Sequence, residues 1–92
     1  MKKFNNPFIK KIKKIEPYFV DLEFENGEEK RVQMAQFLEL PAFQKLKKVD
    51  LFLKVKIVDG WSLVWLDEID LSHDTLYLQG VPISPQMVVK SA

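Results

Sequence analysis

From Tyr18 onward, apolar and polar positions alternate cleanly. Tyr18, Val20, Leu22 and Phe24 share one parity, while Phe19, Asp21, Glu23 and Glu25 occupy the other. A period of two turns one face to a core and the other to solvent, which predicts a half-buried strand. Asn26-Gly27 follows, the pair best able to take the positive φ angles of a two-residue type I′ turn, and Val32 and Met34 then alternate with Arg31 and Gln33. A β-hairpin over residues 18 to 34 results. Its outer face sets Asp21, Glu23 and Glu25 near Lys30 and Arg31, a cross-strand pairing that needs no function to explain it.

Upstream the pattern is ambiguous. Phe8, Ile12 and Ile15 fall at i, i+4 and i+7, the stripe of an amphipathic helix. The β-branched Ile9, Ile12 and Ile15 favour a strand instead, Pro17 bars continuation of a helix, and the segment is short for a helix standing alone. The strand is preferred, and it needs a bulge or twist to reconcile the three-residue spacing.

Downstream, Phe37, Leu38, Leu40, Phe43 and Leu46 are apolar, but Pro41 interrupts any single helix, so two short helical turns fit residues 35 to 48. Leu51, Leu53, Val55 and Ile57 share a parity opposite Lys54 and Lys56. Asp59-Gly60 supplies a second tight turn, and Trp61 to Leu66 forms the partner strand with Trp65 as core anchor. Ser72 reads as a helix N-cap with Leu71 and Leu76 as a hydrophobic staple, Asp74 suits the first turn, and Gly80 can close the helix in the left-handed conformation. This marks a helix over residues 73 to 79. The expected fold is α+β, a small antiparallel sheet built from two β-hairpins with short helices packed on one side. Residues 1 to 8 form a basic arm and residues 81 to 92 an extended tail, with an edge strand through Met87, Val88 and Val89 as one arrangement of that tail.

Composition narrows the function classes. Ninety-two residues make one domain with a modest core, and 47% hydrophobic with 29% charged residues is ordinary globular composition. The absence of cysteine excludes disulfides, thiolate nucleophiles and Cys-ligated zinc or iron–sulfur clusters. No apolar run spans a membrane or makes a signal peptide, so a cytoplasmic protein with no membrane association is expected. The net charge of +1 conceals an asymmetry: Lys2, Lys3, Lys10, Lys11, Lys13 and Lys14 precede the first acid, and from Glu16 onward 8 bases face 13 acids. Such a basic segment attracts phosphates, solubilises, or pairs with the acidic body.

Candidate chemistry is sparse. His73 is the one histidine, and no serine sits in a nucleophile-elbow context, so His73 is expected as an exposed first-turn residue. Asp67, Glu68, Asp70, His73 and Asp74 could gather oxygens and an imidazole around a divalent cation, but their spacing matches no calcium loop, and capping already accounts for several of them. Gly27, Gly60 and Gly80 lie too far apart to cradle a phosphate. Neither a cofactor nor a catalytic site is expected. For nucleic acid, Lys10, Lys11, Lys13 and Lys14, with Phe4 and Phe8 close by, offer weak, non-specific phosphate contact and stacking, although both Phe side chains fit a core edge equally well. Phe19, Trp61 and Val58, with Val88 and Val89, fall on parities the core does not need. They either anchor a partner or cover the second face of the sheet.

The order of residues also carries a resemblance. Tyr18-x-Val20-x-Leu22-x-Phe24-x-Asn26-Gly27-Glu28, Val32-x-Met34, Phe43-x-x-Leu46, Phe52-x-x-Val55, Leu63-Val64-Trp65 and Asp70-Leu71-x-x-Asp74-x-Leu76-Tyr77 together resemble a bacterial family called domain of unknown function 2442, over about residues 9 to 78. The resemblance implies a small α+β domain with an antiparallel sheet, no established activity, and a place beside a second small protein in a toxin–antitoxin-like pair. It therefore implies partner binding and not catalysis. Two departures stand out: the family often has Pro-Asn-Gly after the tryptophan and an Asp before the first helix, where this chain has Leu66-Asp67-Glu68 and Gln33.

Overall fold

Ile9, Ile12 and Ile15 lie on a strand. In the computed structural model, which describes residues 6–83, β1 (Ile9–Glu16) runs antiparallel to β2 (Phe19–Phe24), and Ile9, Ile12 and Ile15 stand opposite Phe24, Leu22 and Val20. The register slips between Ile9 and Lys11 and again between Ile12 and Lys14, so two β1 residues oppose one β2 residue at each slip. These bulges convert a three-residue apolar period into the two-residue period of β2. They also account for the helix-like stripe, since each slip adds one lysine between successive isoleucines.

β2 pairs with β3 (Glu29–Gln33), setting Val20 opposite Val32 and Asp21 opposite Arg31. The turn between them is not the expected type I′. Only Gly27 has positive φ (91°); the Gly27 N–H donates to the Phe24 carbonyl and the Phe24 N–H to Glu28, which closes a type I turn followed by a left-handed glycine. Asn26 contributes its side chain instead, its Oδ1 accepting the Glu28 N–H at 3.0 Å.

α1 (Ala35–Leu38), a 3-10 segment (Pro41–Lys47) and α2 (Val49–Phe52) form the helical turns expected around Pro41. The second hairpin starts later than its parity suggested, because Leu51 belongs to α2 and β4 begins at Val55 (Val55–Val58). Phe52, not Leu51 or Leu53, is the fully buried residue of this stretch. β5 (Ser62–Trp65) follows, then β6 (Ile69–Ser72), a strand not anticipated because the Asp67–Asp70 stretch reads as acidic loop. α3 (His73–Gln79) keeps its expected bounds, with the Ser72 hydroxyl accepting the Thr75 N–H at 3.3 Å.

Gly80 does not adopt the left-handed conformation. It is extended (φ −72°, ψ 150°) and leads into β7 (Val81–Pro82), which pairs with β3. Glycine is required there for space: a Cβ would lie 2.8 Å from Lys30 Cβ and 3.0 Å from the Leu76 carbonyl. A strand through Met87 to Val89 lies outside the described residues.

The fold is α+β, with each hairpin extended into its own antiparallel sheet, β1-β2-β3-β7 and β4-β5-β6. A bond from the Ile9 N–H to the Gly60 carbonyl (2.9 Å) joins them, and one core runs between, through Leu22, Phe24, Met34, Leu46, Phe52, Leu63, Trp65 and Leu76. The β5–β6 turn has positive φ at Leu66 (58°) and Asp67 (60°), closed by the Glu68 N–H on the Trp65 carbonyl. Met34 is the N-cap of α1 and supplies no side-chain cap.

Candidate functional site, an exposed aromatic cluster over a buried histidine

Three aromatic rings meet where the N-terminal segment, the β4–β5 turn and the start of α3 converge. The Val58 carbonyl accepts the Trp61 N–H across Asp59 (φ 54°) and Gly60 (φ 73°), which is type I′ geometry. Val58 nevertheless pairs with Ser62, so Trp61 is the extra residue of the loop and stands outside the ladder. Trp61 is 54% exposed and Phe8 41%, with their ring centroids 5.0 Å apart. Beneath them lies His73, 4% exposed, edge-on to Phe8 at 4.7 Å and to Trp61 at 5.1 Å.

His73 is therefore buried, contrary to the exposed position expected for a first-turn residue. Its backbone N–H donates to the Trp61 carbonyl at 2.6 Å and its Nδ1 lies 3.1 Å from the Pro7 carbonyl. The chain segment Asn6-Pro7-Phe8 crosses over it and is held at Asn6, whose side-chain amide donates to Asp74 Oδ1 at 3.1 Å. Phe8 and His73 are the members of this cluster that sequence reasoning did not group. Contacts across 53 and 65 positions leave no local periodicity to find them by.

Of the residues singled out as partner anchors, Val58 and Trp61 flank the same turn and Val58 is exposed. Phe19 is elsewhere, at the opposite end of β2 from Phe24, which faces Ile9, and it lies under the Arg31 guanidinium at 3.9 Å. Arg31 also forks onto Asp21, with Nε and one terminal nitrogen 2.8 and 3.0 Å from the two carboxylate oxygens. Asp21 is buried, and this bond holds the Arg31 proton more firmly than usual. A groove of about 330 Å³ beside it is lined by Arg31, Gln33, Val81, Pro82 and Ile83.

The lysines of β1 face acids of the body. Lys10 and Lys11 lie 3.6 and 3.8 Å from Glu23, Lys13 lies 3.4 Å from Glu29, and Lys14 lies 3.2 Å from Glu16. Each pair is solvated and worth little in stability, yet together they offset much of the local positive potential. Among the described residues no three His, Asp or Glu groups gather as a metal site; Lys45 binds Glu68 and Lys56 binds Asp67, which separates the acidic run seen in sequence.

A second polar knot ties the first hairpin to α3. The Tyr77 hydroxyl and the Asn26 amide both donate to Glu28 Oε1, and Lys30 Nζ sits 3.5 Å over the Tyr77 ring and donates to the Tyr77 carbonyl at 2.7 Å. The Tyr77 bond, then the Asn26 bond, lowers the Glu28 pKa below its ordinary 4.5; the same bond to Glu28 raises Tyr77 above 10.0. A lowered carboxylate pKa stabilises the fold above 4.5 and loses that contribution as pH falls through the lowered value; a raised phenol pKa stabilises below 10.0 and loses it as pH rises through the raised value. Melting temperatures of the wild type and Tyr77→Phe should therefore differ by a constant amount between these limits and converge in acid and in alkali. A difference that ignores pH would mean that the hydroxyl bond contributes nothing.

The fold and its exposed cluster define a small two-sheet α+β domain with an aromatic surface. The family model described as "Protein of unknown function (DUF2442)" matches residues 9–82, from the start of β1 to the end of β7, and the chain belongs to that family. No curated protein and no solved structure matches it. No helix among the described residues is long and apolar enough to cross a membrane.

Proposed function

We propose that this protein is a non-enzymatic, cytoplasmic protein-interaction module, the antitoxin-like member of a two-gene system, whose partner is a small protein encoded nearby. The observation carrying this reading is the Phe8–Trp61 pair: two large aromatic side chains held in fixed orientation over His73 and left substantially exposed. Exposed, preorganised aromatic residues supply contact area at low entropic cost and recur as interface anchors. The β1 lysines, by contrast, already face Glu16, Glu23 and Glu29. A phosphate backbone would have to displace those carboxylates.

The test is calorimetric titration of the neighbouring gene product into the wild type and into Trp61→Ala, beside titration of labelled duplex and single strands at two salt concentrations. The protein partner should bind with a shallow salt dependence and lose affinity in Trp61→Ala. Tight, sequence-dependent nucleic-acid binding with a log–log salt slope of roughly −3 to −4, as engagement of Lys10, Lys11, Lys13 and Lys14 requires, would replace this reading with a nucleic-acid-binding one.

A further inference from the structure

The polar groups around the Phe8–Trp61 pair are mostly acceptors. The Pro7 carbonyl can only accept, so in the neutral imidazole His73 Nδ1 carries the proton and Nε2 holds a lone pair, with no hydrogen-bond partner among the described residues. Asp74 is the next residue, its Oδ1 3.7 Å from His73 Nδ1 and its side chain 57% exposed. Asp59, also exposed, stands two positions before Trp61 in the same turn. Among the described residues neither Asp59 nor Asp74 has a lysine or arginine in ion-pair range, whereas the acids facing β1 do. The faces of both aromatic rings carry the negative side of their quadrupoles. Apart from the indole N–H, these features attract positive charge.

Exposed apolar side chains lie on two of the elements that build the cluster. Val58 is exposed across the turn from Trp61, and Leu78, 69% exposed, lies one helical turn along α3 from Asp74. A cation accompanied by aliphatic groups would match both halves of this surface.

We propose that the cluster docks a basic segment of the protein partner, an arginine flanked by aliphatic side chains. This rests on the partner-binding reading above and adds the chemistry of the partner. The guanidinium stacks on the Trp61 face and pairs with Asp59 or Asp74, while the aliphatic neighbours cover Val58 and Leu78. Arginine suits the site better than lysine because its planar, weakly hydrated head can stack and donate in several directions at once.

The test titrates the full chain with a peptide of alternating arginine and leucine, and with matched peptides carrying citrulline or glutamate in place of arginine. The arginine peptide should bind. Citrulline substitution, or the double variant Asp59→Asn with Asp74→Asn, should weaken binding about tenfold, the size of two surface charge pairs. Trp61→Ala should weaken it at least as much, with circular dichroism verifying that each variant is folded. Equal binding of the three peptides, indifference to the aspartate variant, or no arginine-peptide binding at millimolar concentration would overturn the proposal. The same variants separate it from the reading beneath: a natural partner that needs Trp61 but neither aspartate refutes the basic segment and leaves partner binding standing, while a partner that ignores Trp61 refutes both. Self-association seen by sedimentation and lost in Trp61→Ala would assign the cluster to a second copy and overturn the proposal as well.

Discussion

Replacing Trp65 with alanine should destabilise the domain by about 3–5 kcal/mol, the range for large aromatic truncations in a packed core. Trp65 has no exposed surface, lies nearly parallel to Phe52 at 6.2 Å, and donates its indole N–H to the Phe52 carbonyl at 2.8 Å. Phe52 in turn meets Tyr18 edge-on at 5.1 Å, and the Tyr18 hydroxyl donates to the Lys47 carbonyl. One side chain thus ties β5 to α2 and, through it, to the β1–β2 turn. A domain of this size has a total stability of about 5–15 kcal/mol, so the alanine variant should unfold at much lower urea or not fold at 37 °C. Trp65→Phe separates the parts: it keeps most of the apolar burial and leaves the Phe52 carbonyl without its donor, at a cost of about 1–3 kcal/mol. A shift in urea midpoint for Trp65→Ala no larger than for Trp65→Phe would mean that the cavity collapses and the hydrogen bond carries the effect.

Trp65 was legible because the stretch after Asp59-Gly60 is rich in aromatic and aliphatic residues, β2 and β3 because their apolar positions alternate with a period of two, and α3 because Ser72 and the Leu71–Leu76 staple mark its start. β1 was less clear. Ile9, Ile12 and Ile15 repeat every three residues, a spacing that a flat strand cannot present to one face, and only the two register slips against β2 resolve it. Turn geometry was read from residue pairs and came out unevenly. Asp59-Gly60 adopts the left-handed pair of angles that such a dipeptide favours because it fills the two central positions of its turn, whereas in the first hairpin the Gly27 N–H closes on the Phe24 carbonyl, which puts Glu25-Asn26 at the centre and leaves only Gly27 left-handed. Gly80 was assigned to conformation when its role is clearance from Lys30, a contact 50 positions away. The candidate site was half legible. Trp61 and Val58 could be flagged from parity, but Phe8 and His73 join them only through the meeting of the N-terminal segment with the start of α3, and the lysines of β1 lose prominence only once their carboxylate partners across the sheet are known.

Gly60→Val should be the most damaging change at the site itself, destabilising by about 2–3 kcal/mol through two separate effects. The first is conformational: Gly60 has φ +73°, where a β-branched residue clashes with its own backbone. The second is crowding, since a Cβ would lie 3.2 Å from the Ile9 carbonyl and 3.4 Å from Phe8 Cβ, at the point where the Gly60 carbonyl accepts the Ile9 N–H and joins the two sheets. Gly27→Val isolates the first effect, because Gly27 has φ +91° but no atom within 4 Å of the added Cβ, and its cost should stay near 1 kcal/mol. The two variants should also differ in kind. Crowding at Gly60 pushes Phe8 away from Trp61, so near-ultraviolet circular dichroism from the exposed indole and any partner affinity that depends on it should fall in Gly60→Val at temperatures where the protein is still folded, and remain unchanged in Gly27→Val. Equal stability losses with an unaltered aromatic signal in both would show that Phe8 does not need the Gly60 contact to hold its place, and that the cluster is set by His73 and the Pro7 carbonyl alone.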